Sequence, residues 1–124
     1  MANDLMAGKR GLIMGLANDK SIAWGIARTL ADAGAELAFS YQGEALKKRV
    51  GPLAAQLGSD LVIPCDVGSE ESIDELFDTL KQSWDGLDFI VHAIGFSDKN
   101  ELRGRYVDTS RANFTMSMDI SVYS

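Results

Sequence analysis

Four short apolar runs recur along the chain with helical patterns between them: GLIMG at 11–15, ELAFSY at 36–41, LVIPCD at 61–66 and LDFIVHAIG at 87–95. Their apolar positions are nearly continuous rather than alternating, which predicts strands buried on both faces of a parallel sheet. Between the first two runs, Ile22, Ala23, Ile26, Ala27 and Leu30 fall on one helical stripe, and Gly34 stands where a helix would stop. The stretch from Glu44 to Leu57 sets Leu46, Val50, Leu53 and Leu57 on one face. Ser69 reads as an N-cap, followed by acidic residues in the first turn and then Ile73, Leu76, Phe77 and Leu80 at helical spacing. From about Asp108 onward the pattern allows one more helix. Repeats, low-complexity tracts and linkers are absent from the pattern.

The order β-α-β-α-β-α-β predicts an α/β fold, a Rossmann-type doubly wound parallel sheet with right-handed crossovers. The strands would lie in the order 3-2-1-4, with the first and fourth flanking the switch point where ligands bind. The carboxyl ends of GLIMG and LDFIVHAIG are therefore the place to expect chemistry. A chain of 124 residues suits one domain, and 46% apolar with 24% charged residues suits a globular one. The net charge of -6 argues against a nucleic-acid face. Lys47, Lys48 and Arg49 form the one basic cluster, which reads as a solvated helix face. A single cysteine, Cys65, rules out an internal disulfide and suits a reducing, cytoplasmic location. The opening MANDLMAGKRGLIMG lacks a leader pattern, and no later stretch approaches the roughly 18 apolar residues of a membrane span.

After the first run, Gly15 lets the chain turn sharply, and LANDKS carries it to a helix starting near Ile22. A helix N-terminus offers unpaired N–H groups and partial positive charge, which together bind pyrophosphate. The Ser21 hydroxyl can cap that helix and also donate to a phosphate oxygen. Gly25, one turn in, would permit close approach of helix and ligand to the strand. Read more simply, Ser21 is an N-cap and Gly25 a packing glycine, and the loop alone leaves both readings open. His92, the single histidine, lies within a predicted buried strand and reads as a core histidine before an acid or base. Cys65 reads as a small core hydrophobe. No cluster suggests a metal site.

GLANDKSIAWGIA, GAELAFSYQGEALKKRV, CDV at 65–67 and HAIGF at 92–96 together resemble the bacterial enoyl-[acyl-carrier-protein] reductases. That group is a divergent branch of the short-chain dehydrogenase/reductase superfamily, with a long G-x5-S-I-A loop in place of the tighter glycine-rich turn. Four blocks agree in order and spacing from Gly8 to Ser124. The resemblance implies NADH as cofactor, with Gly15, Ser21 and Ile22 at the pyrophosphate and nearby ribose. Gln42 matches the position by the adenosine ribose, where related sites usually carry Asp or Glu. That departure leaves NADH or NADPH open by chemistry, and the family likeness favours NADH. Asp66 and Val67 match the pair at the adenine; Asp66 read alone is equally a cap or turn residue. Ile94 and Gly95 match the nicotinamide side, and Phe96 and Ser97 the start of the loop bordering the acyl pocket.

The resemblance further implies reduction of the trans-2 double bond of enoyl thioesters on acyl carrier protein, in bacterial fatty acid synthesis, by a homotetramer. In that chemistry a tyrosine, with a lysine six or seven residues later, stabilises the charge that develops on the thioester oxygen. Tyr41 has Lys47 at that interval, but at the adenosine end of the predicted fold; Tyr106 and Tyr123 have no lysine after them. The chain 1–124 thus resembles the dinucleotide-binding part of a larger single-domain fold, with no catalytic residue of its own and the catalytic part beyond it. Two other functions stay open on sequence. One is a stand-alone nucleotide-binding or sensing module. The other is a different short-chain reductase, against which stand AIG in place of the usual NAG and the lack of Asn in Asp119-Ile120-Ser121.

Overall fold

A computed structural model describes residues 3–124; Met1 and Ala2, the first residues of the stretch read as lacking a leader, lie outside the described residues. The chain divides into two compact units, one ending at Ala93 and one running from Ile94 to Ser124.

The first unit carries strands β1 (Arg10–Met14), β2 (Glu36–Tyr41), β3 (Val62–Pro64) and β4 (Phe89–His92). Helices α1 (Ile22–Asp32), α2 (Glu44–Gln56) and α3 (Glu70–Ser83) connect them. All pairings are parallel and the order is β3-β2-β1-β4, as the alternation of apolar runs and helical stripes predicts. β2 coincides with its apolar run, β1 is offset from its run by one residue, and β3 and β4 are shorter than theirs because those runs continue into the turns that leave the sheet.

The core lies between the sheet and the first two helices. Ala23, Trp24 and Ala27 of α1 and Val50 and Ala54 of α2 form one buried cluster with Ile13, Leu37, Phe39 and Tyr41. The stripe predicted on α1 is therefore turned: Ile22 is 82% and Ile26 36% exposed, whereas Ala23, Trp24 and Ala27 face the sheet. Small alanines let the helix axis approach the strands, and Trp24 fills the space at their flank. Leu12 and Ala38, which alternate with Ile13 and Leu37, are fully buried on the opposite face, the face that a right-handed return crossover assigns to α3. Ser69 caps α3 as expected, its Oγ accepting from the N–H of Ser72 at 3.2 Å, with Glu70 and Glu71 in the first turn. Gly34 ends α1 at φ +98°, its N–H donating to the Ala31 carbonyl.

β4 departs from the expectation of burial on both faces. Phe89, Val91 and Ala93 pack on the cluster beside α1 and α2, but Ile90 is 48% exposed and His92 is exposed. The helix assigned to that second face, α3, packs against β3. His92 is thus not the core histidine that its apolar neighbours suggest.

The second unit holds two short 3-10 turns, Lys99–Glu101 and Tyr106–Asp108, then α4 (Arg111–Met118), whose last turn widens into a π-helical turn over Asp119–Tyr123. Ser110 caps α4, accepting from the N–H of Asn113 at 3.0 Å, and is itself held by both carboxylate oxygens of Glu101 at 2.7 and 2.8 Å. The helix anticipated from about Asp108 begins three residues later, because Tyr106–Asp108 closes a tighter turn first.

Candidate functional site

In a parallel sheet all carboxyl ends lie along one edge, and the first unit gathers Gly15, Ser21, Ile22, Gln42, Asp66 and Val67 there. Gly15 follows β1 with φ +99°, a backbone conformation that L side chains rarely adopt. A Cβ at Gly15 would stand 2.0 Å from the carbonyl oxygen of Ala93, so the junction of β1 and β4 requires the glycine.

The loop after Gly15 is built from its own polar groups. Leu16 is 2% exposed and pins the loop to the core. Asn18 Oδ1 accepts from the N–H of Lys20 at 2.8 Å, while Ser21 Oγ accepts from the N–H groups of both Ala17 and Asn18 at 3.1 Å. Ser21 is therefore not the side-chain cap that its position predicts: the hydroxyl oxygen is turned back onto the loop, and α1 has no side-chain cap. Two consequences follow from the chemistry. The hydroxyl hydrogen remains a donor, and the first amides of α1 keep their positive partial charge. Ile22 is exposed at this turn, and a Cβ at Gly25 would meet open space, so Gly25 is not the close-packing glycine that the simpler reading makes it.

Gln42 lies exposed one residue past β2, beside Gly43 at φ +88°. Asp66, two residues past β3, donates its N–H to Ser72 Oγ at 2.8 Å and accepts the Gly68 N–H on Oδ1 at 2.9 Å. Its turn-forming role is thus present in the structure, and Val67 is half-buried between these bonds. Cys65 is 5% exposed, as a small core residue should be. Burial pushes its thiol above the ordinary value and the neighbouring Asp66 carboxylate adds to the rise, partly offset by a hydrogen bond with Ser72. Because the thiolate is the reactive form, we expect iodoacetamide at pH 8 to alkylate the native chain at least about tenfold more slowly than the urea-unfolded chain. Equal rates by mass spectrometry would contradict the burial.

Tyr41 is buried in the core cluster and Lys47 is exposed on α2 beside Lys48 and Arg49, so the spacing that suggests a catalytic pair is fortuitous and the basic cluster is a solvated face. Among the described residues no group of His, Cys, Asp and Glu could hold a metal ion, and no helix is long and apolar enough to cross a membrane.

In the second unit Ile94 is half-buried, Gly95 and Phe96 are exposed and Ser97 is half-buried. Asn113, 6% exposed, reaches Ser97 and Asp98, and Ser121 reaches the backbone of Phe96. The sequence pattern passes over Asn113 and gives Ser121 no contact of its own, since a polar residue on a short helix carries no periodic signal.

Residues 15–124 match the family described as "Enoyl-(Acyl carrier protein) reductase". The chain belongs to that family. It is 64% identical over 122 residues, 98% of its length, to "Enoyl-[acyl-carrier-protein] reductase [NADH] 2" of Rhizobium meliloti (strain 1021), of which it covers 46%. Its fold superposes on the crystal structure of FabI from Candidatus Liberibacter asiaticus with a TM-score of 0.93 at 59% identity, covering 97% of this chain and 46% of that one. The reductase from Anaplasma phagocytophilum, solved in complex with NAD, gives a TM-score of 0.94 at 57% identity, with 98% and 47% covered. The chain thus spans slightly less than half the length of the relatives it matches. The loop after β1, with no glycine between Gly15 and Gly25, is held by the Ser21 and Asn18 side chains.

Proposed function

We infer that this chain is the dinucleotide-binding part, residues 1–124, of an NADH-dependent enoyl-acyl-carrier-protein reductase. The observation that carries this reading is the self-bonded loop between β1 and α1 and the uncapped start of α1, in a chain of this family whose relatives are named for NADH. The residues fit a dinucleotide. Gly15 turns the backbone, the amides at the start of α1 and the Ser21 hydroxyl face phosphate oxygens, and Ile22 covers the adjoining apolar edge. Gln42 stands by the adenosine ribose and Asp66 with Val67 by the adenine, along the carboxyl ends of β2 and β3. Ile94 and Gly95 serve the nicotinamide, and Phe96 and Ser97 border the acyl chain. NADH, when bound, supplies the hydride for reduction of the enoyl double bond.

The chain's own part in that reaction is to bind and orient. Ser21, already bonded to two loop amides, presents its hydroxyl hydrogen without further ordering, and little conformational entropy is lost when a phosphate arrives. A substrate carried on acyl carrier protein, a homotetrameric assembly of the complete protein and a cytoplasmic site of action belong to the same reading. They are supported by the family, the single buried thiol and the absence, among the described residues, of a membrane-spanning helix.

Calorimetric titration of the chain with NADH tests the reading. Ser21→Ala removes both the donor and the anchor of the loop, and we expect about tenfold weaker binding, the equivalent of one hydrogen bond to a charged group. Wild-type affinity in that variant, or no NADH binding by the folded chain, would overturn the assignment of the loop.

A further inference from the structure

Just past β4, the backbone of residues 96–98 has no regular structure, yet its polar groups are held from one helix. The N–H of Phe96 donates to Ser121 Oγ at 3.0 Å, and the Ser121 hydroxyl donates to the Phe96 carbonyl at 3.3 Å. Asn113 Oδ1 accepts the N–H of Asp98 at 3.0 Å, and its Nδ2 donates to Ser97 Oγ at 3.1 Å. Asn113 is one of the few buried polar residues, and its own N–H is fixed by the Ser110 cap. Each contact spans fifteen or more residues of sequence, so none arises from local turn geometry.

The helix geometry explains how both side chains reach the same segment. Asn113 and Ser121 are eight positions apart, and in a regular α-helix eight residues leave roughly 80° between two side chains. After Met118 the helix widens into the π turn Asp119–Tyr123. A π turn advances less per residue, which rotates Ser121 back toward the face that carries Asn113. Such turns are rare and concentrate at functional sites. The result is a fixed backbone bearing an exposed aromatic side chain: Phe96 is 56% exposed.

We propose that Asn113 and Ser121 are positioning residues, which clamp the Phe96–Asp98 backbone from α4 and its π turn and so set the Phe96 ring against the acyl part of the substrate. The proposal rests on the reductase reading for its substrate, but the clamp itself is measurable without turnover. The test uses a chimera in which this chain replaces the matching segment of the Rhizobium meliloti reductase. Ser121→Ala should speed amide hydrogen exchange at Phe96 about tenfold or more, as expected when a protecting bond is lost. It should also raise KM for an enoyl thioester about tenfold, with kcat changed less and NADH affinity unchanged. Ser121→Thr, which keeps the hydroxyl, should restore exchange and KM together. Ser121→Cys, similar in volume but a weak hydrogen-bonding partner, should follow alanine and reads the clamp even if the alanine variant folds poorly. Unchanged exchange at Phe96 would overturn the proposal, as would faster exchange with an unchanged KM. An unsubstituted chimera that binds NADH but never turns over would count against the reductase reading, and exchange at Phe96 would then decide the clamp by itself.

Discussion

Gly15→Val is expected to lower the melting temperature of the first unit steeply, by well over ten degrees. Valine cannot adopt φ +99° without strain, and its Cβ would lie 2.0 Å from the Ala93 carbonyl oxygen and 2.5 Å from the carbonyl carbon. Neither atom is the tip of a movable side chain. The backbone of Ala93 is tied to β1 by its N–H, which donates to the Met14 carbonyl at 3.0 Å. Relief of the clash therefore has to pull β4 away from β1. Strain and a broken strand junction together cost roughly 3–5 kcal/mol, against about 5–15 kcal/mol for the whole stability of a typical domain. Thermal melting by circular dichroism provides the check. Gly25→Ala is the control, since that position has open space around it and lies inside α1, where alanine is favoured by about 1 kcal/mol. A Gly15→Val chain that melts at the wild-type temperature would show that the β1–β4 junction tolerates a side chain.

Equally large is the expected absence of turnover. The 124-residue chain alone should oxidise NADH with a crotonyl thioester at least about a thousandfold more slowly than the chimera with the Rhizobium meliloti reductase, because loss of a single preorganised oxyanion donor commonly costs two to three orders of magnitude. Tyr41 is 8% exposed within the core cluster, and its hydroxyl is unavailable to a substrate. Tyr106 and Tyr123 are 86% and 79% exposed but have no lysine after them. A steady-state assay on protein of verified mass settles the matter, and thioester-dependent oxidation by the chain alone would mean that one of these tyrosines performs the role.

Much of the architecture could be read from the order of residues because its causes are local. Near-continuous apolar runs separated by helical stripes leave few alternatives to a parallel sheet, and right-handed crossovers then set the order β3-β2-β1-β4. Ser69 as a cap and Gly34 as a stop were legible for the same reason: each acts on backbone groups within a few residues of itself. The family, too, was legible in four short blocks, and the match over residues 15–124 bears that out.

Tertiary structure decided what depends on partners distant in sequence. On α1, Ile22 and Ile26 satisfy the helical period as well as Ala23 and Ala27, and only the strands below select the small residues that allow close approach. β4 is as apolar as β1, yet Ile90 and His92 are exposed. Ser21 stands where an N-cap belongs, and the fold of its loop turns the oxygen toward Ala17 and Asn18 instead. Asn113 carries no pattern and Ser121 shows only where another reductase would have Asn, since a hydroxyl or an amide on a short helix takes its role from the distant backbone it meets. Periodicity and caps record the interactions of a segment with itself, and so determined which elements form and in what order. The choice of buried face, the partner of each polar side chain and the register of the π turn follow from contacts that exist only once the elements have packed.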